Sequence, residues 1–288
     1  MLKVAENIGF KKIKGLDIDG SLNWKQNDSL LSIPRIKNSI IITNPPYLTN
    51  YSAKRKGIYE NVKKYFDICR YDDLYQLAIE KCLANDFGVM IIPETFINSK
   101  LPKSRLASIT IIEDLLFNDT ENPICVICFD NKNKEYNQID VYKNDELLGD
   151  LGYFEKMRKM PHKNIYMKFN APTGQIALRA VDTTNPQKPI MFMKPEEINY
   201  DLSEIKYSSR LITVIEIKAD KEIINKIIEH SNKLLFDFRK KTNDVLLSPF
   251  KGNKKNGERR RRLDYMTARA FLEEAFELAC PIARLKLF

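Results

Sequence analysis

The chain has 288 residues, enough for one large domain or two smaller ones, and its hydrophobic (43%) and charged (30%) fractions exclude a disordered or fibrous protein. The net charge of +9 at pH 7 favours a polyanionic partner, provided the excess is localised. No apolar run approaches the roughly 20 residues a membrane span needs, and the opening "MLKVAENIGFKK" lacks the charged head, apolar stretch and cleavage site of a secretory signal, so the expectation is a cytoplasmic protein with no membrane contact.

From residue 1 to about 130 helix-like and strand-like segments alternate, which implies an α/β fold with a mostly parallel sheet covered by helices. "MLKVAENIG" reads as a helix closed by Gly9 and "KIKGLD" as a strand. "SIIIT" reads as a second, fully buried strand that runs into Asn44, Pro45, Pro46 and Tyr47. "YDDLYQLAIEKCLAND" places Leu74, Leu77, Ala78 and Cys82 on one helical face, with acidic residues in its first turn, and "FGVMIIP" follows as a third strand. "ITIIEDLLF" and "ICVICF" supply two more, paired near the sheet edge. Cys125 and Cys128 lie inside the last of these apolar runs, with no second cysteine pair and no nearby His; they read as reduced core thiols, and no metal site is expected. His162 and His230 are the two histidines, too few for His-rich chemistry.

After Phe129 the texture changes. "DNKNKEYNQ" is a polar connection, and short apolar runs broken by Pro, Gly and Asn follow to about residue 218, which marks a second α+β domain over 131–288 beside a first over 1–130. Within it "TGQIALRAV" is a candidate recognition element, with Arg179 set to approach a guanine edge or to make a structural ion pair. Residues 219–241 read as an amphipathic helix and "LDYMTARAFLEEAFELA" as a terminal one. Between them the positive charge is localised: Lys251, Lys254, Lys255, Arg259, Arg260, Arg261 and Arg262 face a single Glu258, a set suited to phosphate contact or to a solvated loop.

A parallel sheet places ligands beyond the carboxyl ends of its strands, where Asn44–Tyr47 fall. Two prolines stiffen the segment, Asn44 and the Pro45 carbonyl offer acceptors, and Tyr47 offers a flat face with a polar tip. Together they suit an amino group on a planar ring.

The quartet resembles the (D/N/S)PP(Y/F) signature of amino-methyltransferases that use S-adenosylmethionine. "FGVMIIPETFINS" and "IIEDLLFNDTENPICVICF" resemble later blocks of the N6-adenine DNA methyltransferases that carry an N-terminal catalytic and a C-terminal target-recognition domain. The resemblance implies a Rossmann-like methyltransferase sheet, S-adenosylmethionine as cofactor, double-stranded DNA as partner and a flipped adenine as substrate. Residue by residue, it gives Asn44, Pro45, Pro46 and Tyr47 the catalytic roles. It sets Asp17 of "GLDID" on the cofactor ribose and Asp28 of "WKQNDSLL" on its adenine, and it stacks Phe117 with Tyr47 on the flipped base.

The family's Gly-rich block before the first of these motifs has no counterpart here, so the expected sheet is incomplete at its N-terminal side. Three accounts follow: a fragment of a longer enzyme, a subunit that needs a separate chain carrying the missing strand and Gly-rich loop, or a DNA-binding remnant without catalysis. Methylation of RNA or of a protein glutamine is the competing enzymatic reading, because the quartet suits any planar amino group.

Overall fold

The computed structural model describes residues 2–114, 117, 121–163 and 165–280, and it divides into two compact units. Unit 1 comprises Met1–Ile112 and Ile124–Gly152; unit 2 comprises Glu113–Pro123 and Tyr153–Phe288. Two strands beyond residue 130 therefore belong to the first unit, which runs about twenty residues further than the sequence boundary.

Unit 1 opens with α1 (Leu2–Asn7), ended by Gly9 at φ +96°. β1 (Leu16–Asp17) and β2 (Lys25–Gln26) follow as a separate two-stranded parallel ribbon, so the expected "KIKGLD" strand lies outside the main sheet. The main sheet has six strands: β3 (Ile40–Thr43), β4 (Phe87–Pro93), β5 (Leu106–Ile112), β6 (Ile124–Phe129), β7 (Asp140–Lys143) and β8 (Glu146–Asp150). Their order is β3-β4-β6-β5-β7-β8. The sheet is mixed rather than mostly parallel: β3/β4 and β5/β7 run parallel, while β6 lies antiparallel to both β4 and β5, and β7/β8 form a hairpin. Leu115 and Leu116, the end of the expected "ITIIEDLLF" strand, fall outside the described residues.

β3 departs from its expected full burial. It pairs with β4 alone among the described strands, and Ile40 and Ile42 remain 46% and 42% exposed. A run of β-branched residues reports a strand but not how many neighbours it has. β4 and β6 show what a flanked strand looks like: Met90, Ile92, Cys125 and Ile127 are all fully buried.

Between β3 and β4 come α2 (Asn50–Arg55), α3 (Tyr59–Asp67) and α4 (Leu74–Cys82). α4 buries Leu74, Leu77, Ala78 and Cys82 as the 3.6-residue period requires, and Asp73 caps its N-terminus. Ala53, Tyr65, Phe66, Leu74 and Leu77 form one continuous core cluster.

α5 (Leu151–Met157) carries the chain across the division. Unit 2 holds an antiparallel sheet of β9 (Met167–Phe169), β10 (Ile176–Arg179), β11 (Met191–Met193) and β12 (Ile212–Ile217), in the order β11-β10-β12-β9. α6 (Lys221–Thr242) buries Ile224, Ile227, Ser231, Leu235, Phe238 and Thr242, one face at steps of three and four, and ends on Asn243 in the left-handed conformation. Asn232 on α6 accepts the Phe192 N–H (2.9 Å) and donates to the Phe192 carbonyl (2.8 Å), satisfying the edge of β11. The hairpin β13 (Ser248–Asn253) and β14 (Arg259–Arg262) leads into α7 (Tyr265–Ala279), which packs on α6 through the edge-on pair Phe238/Phe271, 5.3 Å between ring centroids.

Candidate active site

β3 and β4 run parallel with Thr43 opposite Met90, so Asn44–Tyr47 leave the sheet at the same end as Ile91–Glu94. At this rim Pro45 is buried, Asn44 and Pro46 are exposed, and Tyr47 is half-buried. The Tyr47 hydroxyl lies 2.9 Å from the Ile91 carbonyl and 2.6 Å from Asn44 Oδ1. A phenol has one proton, so these two acceptors compete for it. Turning the Asn44 amide over would make that contact an N–H···O bond, release the phenol proton to Ile91 and leave the Asn44 oxygen facing outward. Burial, assisted by the neighbouring Cys125 thiol, raises the Tyr47 pKa well above its ordinary value, so the ring stays neutral.

The chain beyond the quartet is spliced onto the start of α4. Leu74 N–H donates to the Leu48 carbonyl (3.1 Å), Asn50 N–H donates to Asp72 (2.9 Å), and Thr49 bridges to Asp73. The Asp73 carboxyl accepts backbone N–H groups of Tyr75, Leu48 and Leu74, yet burial outweighs them and pushes it up to about 6. Glu94, the first residue past β4, is 1% exposed, and its charge adds to burial in raising the Cys125 thiol. Reading the sequence missed both carboxylates. The signals were the double acid before "LYQLAIE" and a Glu immediately after a strand-ending Pro, each of which a helix cap explains as well.

Of the residues assigned to the cofactor, Asp17 is half-buried at the end of β1 and accepts the Asp19 N–H at 2.9 Å. Two residues before it in the chain, Gly15 meets the Trp24 indole, where a Cβ would sit 2.5 Å from the ring, so only glycine fits there. Asp28 Oδ2 accepts Lys64 Nζ at 2.8 Å and the Tyr65 hydroxyl at 2.9 Å. Burial works to raise the Asp28 carboxyl, but these two donors outweigh it and hold the group below the usual carboxylate range. Among the described residues no Gly-rich turn stands ready for a methionine end. Asp17 and Asp28 carry carboxylates of the kind that accept hydrogen bonds from a nucleoside's hydroxyl and amino groups, Asp28 being already shared with Lys64 and Tyr65.

Phe117 is half-buried in the 113–123 segment, which is counted with unit 2 rather than with the rim. Of the basic cluster, Arg259 and Arg261 are 2% and 1% exposed, so they face the interior of unit 2 rather than a phosphate-bearing surface. The physical reason is the strand: β14 alternates, turning Arg259 and Arg261 inward and Arg260 and Arg262 outward. Lys254 is bound to Glu258 (3.0 Å), and Arg260 donates to the Asp182 carbonyl (2.8 Å) and lies over the Phe250 ring. Lys251 and Lys255 are exposed, and Arg262 is half-buried. Within "TGQIALRAV", Ile176–Arg179 form β10, an inner strand of the sheet, with Ile176, Ala177 and Leu178 fully buried and the half-buried Arg179 donating to the Pro189 carbonyl (3.4 Å).

A cavity of about 570 Å³ in unit 1 is lined by residues from Cys69 and Tyr71 to Glu80 and Pro102, none of them from the quartet; the convergence of acceptors and an aromatic face is at the rim. Among the described residues no group of three His, Cys, Asp or Glu is arranged to hold a metal, and no helix is long and apolar enough to cross a membrane.

The strand end carries an exposed amide, a stiff Pro-Pro pair and a tyrosine anchored at its hydroxyl. Residues 5–122 match the model of the Eco57I restriction-modification methylase family, a stretch that contains the quartet, Asp17, Asp28 and Phe117. The match supports a restriction-modification methyltransferase, and the mixed six-stranded sheet is consistent with a methyltransferase-like fold. No curated protein matches the chain.

Proposed function

We propose that the chain carries the catalytic and target-recognition parts of a DNA adenine-N6 methyltransferase that uses S-adenosylmethionine. The observation that carries this reading is the rim itself: an exposed Asn44 amide beside the Pro45 carbonyl, with a Tyr47 ring anchored at its tip to Ile91. The adenine amino nitrogen is a weak nucleophile because its lone pair is delocalised into the ring. Accepting its two hydrogens at Asn44 Oδ1 and the Pro45 carbonyl favours a pyramidal nitrogen and stabilises the positive charge that grows on it as the methyl arrives. When bound, S-adenosylmethionine supplies that electrophilic methyl group. The surplus proton of the methylated amino group is lost to solvent after transfer, and no covalent enzyme intermediate is required. A base inside a duplex cannot reach the rim, so it must be extruded, with Tyr47 replacing part of the stacking it gives up.

Transfer of tritium from labelled S-adenosylmethionine, offered separately with duplex DNA, RNA and protein, tests the reading. The expected outcome is label in duplex DNA alone, reduced at least about a hundredfold by Asn44→Ala while DNA binding stays nearly intact; a fully active variant overturns the assignment. A second reading is favoured by the open edge of β3, where Ile40 and Ile42 stand exposed: a further strand from a separate chain completes the sheet. Duplex binding without transfer by this chain alone, on all three substrates, would support that reading or a binding role without catalysis.

A further inference from the structure

The signature that the quartet resembles admits Tyr or Phe at its last place, so it gives a task to the Tyr47 ring and none to the hydroxyl. In the fold that hydroxyl meets two oxygens, the Ile91 carbonyl at 2.9 Å and Asn44 Oδ1 at 2.6 Å. The two acceptors are not equivalent. β3 ends at Thr43, opposite Met90, so the Ile91 carbonyl lies past the last β3/β4 pair, and its contact with Tyr47 is partly buried. The contact with Asn44 is exposed. An acceptor shielded from water costs more to leave without a donor than one that water can serve, so the phenol proton belongs to Ile91.

The phenol oxygen then faces Asn44 as an acceptor. Two oxygens with no proton between them repel, and the amide relieves this by turning over: Nδ2 donates to the phenol oxygen and Oδ1 faces outward. A separation of 2.6 Å is short for an N–H···O bond, and turning opens it toward the usual value of about 2.9 Å. The backbone joining the two residues is stiff. Pro45 and Pro46 fix φ between them, and beyond Tyr47 the Leu48 N–H is bound by the Asp73 carboxyl and the Leu48 carbonyl by the Leu74 N–H (3.1 Å). The two ends of an amide are alike in shape and opposite in hydrogen bonding, so only a fixed partner tells them apart. Among the described residues the Tyr47 hydroxyl is the partner that holds the Asn44 side chain.

We infer that the Tyr47 hydroxyl is a positioning group: it links the Ile91 carbonyl of β4 to the Asn44 amide and holds that amide with its oxygen outward. The rim then offers acceptors, and a substrate must bring a donor. With the amide reversed, Nδ2 would set its hydrogens against those of an amino group and favour an exocyclic oxygen instead. This rests on the proposed reaction, in which Asn44 Oδ1 accepts an amino hydrogen, and adds what fixes that oxygen in place.

Two measurements on the full chain test it. NMR of the isotopically labelled asparagine side chains, with Asn44 identified as the amide pair missing from Asn44→Ala, reads the orientation without any need for activity. In the unaltered chain one of the two Asn44 amide protons should be protected from solvent exchange and the other not; in Tyr47→Phe the two should exchange alike. Equal exchange in the unaltered chain, or protection that survives in Tyr47→Phe, overturns the inference. The second measurement is steady-state transfer of tritium from labelled S-adenosylmethionine to genomic duplex DNA. Tyr47→Phe keeps the stacking ring, so kcat should fall roughly 2- to 13-fold, the span of one net hydrogen bond, while KM for DNA holds within about twofold. An unchanged kcat, or a loss confined to KM, overturns the positioning role. If the unaltered chain transfers no methyl group, the proposed reaction fails for this chain by itself, and the amide measurement still decides the orientation.

Discussion

Asp73 shows how one side chain can serve the candidate site without facing it. Its carboxyl caps α4 and also accepts the Leu48 N–H next to Tyr47, so the helix start and the rim share one anchor. Burial raises that carboxyl from the ordinary 3.8 to about 6. A pKa raised by folding means that the native state binds the proton more tightly than the unfolded chain. The stabilisation from this group is therefore full below about 3.8, falls away as the pH climbs, and is gone above about 6. Asn is as good an N-cap and carries no charge. Asp73→Asn should leave stability nearly unchanged at pH 4 and raise it at pH 7, with the difference in thermal midpoint growing across that window and then levelling. A constant difference at all pH values would show that the carboxyl titrates normally.

At the scale of elements, Arg105 at the entrance to β5 does for unit 1 what no periodicity could announce. Its guanidinium donates to the carbonyls of Leu83 (2.5 Å), Asn85 (3.0 Å), Asp86 (3.1 Å) and Asp130 (2.6 Å), tying the end of α4 to the end of β6. Helix ends leave carbonyls without partners, and this planar fork satisfies several at once. Arg105→Met should cost about 3 kcal/mol, since it strands several partly buried acceptors; Arg105→Lys should recover only part, because one ammonium cannot span them. Denaturant midpoints with an unchanged slope would check this. The contrast with the rest of the unit explains what the sequence could reveal. α4 and the pairing of β5 with β6 were legible because their apolar residues repeat at a fixed step, and Asn44–Tyr47 because a rigid polar quartet interrupts an apolar run. The expected place of the β5/β6 pair near the sheet edge was wrong, since β4 flanks it on one side and β7 and β8 on the other, which puts it at the centre. β7 and β8 were not, since "DVYK" and "ELLGD" are short and half polar. The exposure of β3 was hidden for another reason: it is decided by strand order, a long-range property that local pattern does not encode.

At the scale of the whole molecule, the net charge of +9 reads as a uniform attraction to polyanions until the hairpin divides it. Lys251 and Lys255 are exposed, whereas Arg261 is 1% exposed and its backbone joins β14 to the Asp182 region. Asp182 organises that interior: fully buried, it accepts Arg239 through two bonds of 2.9 Å and the Arg261 N–H at 3.1 Å. Burial alone would raise its carboxyl, but Arg239 prevails and holds it below the ordinary value. The same run of four arginines thus contains two populations that a count of charges merges. Replacing Lys251 and Lys255 together by Gln should weaken binding to every duplex alike and reduce the salt slope by about 1.8, at roughly 0.9 for each phosphate left without its cation, while the thermal midpoint stays put. Arg261→Gln should do the reverse, lowering the midpoint by several degrees because it truncates one of the largest fully buried side chains and leaves a cavity, with the salt slope of the protein that remains folded unchanged. Measuring both quantities on both variants separates them. A slope that falls for Arg261→Gln and holds for the double lysine variant would show that the inward arginine, and not the outward lysines, meets the phosphates.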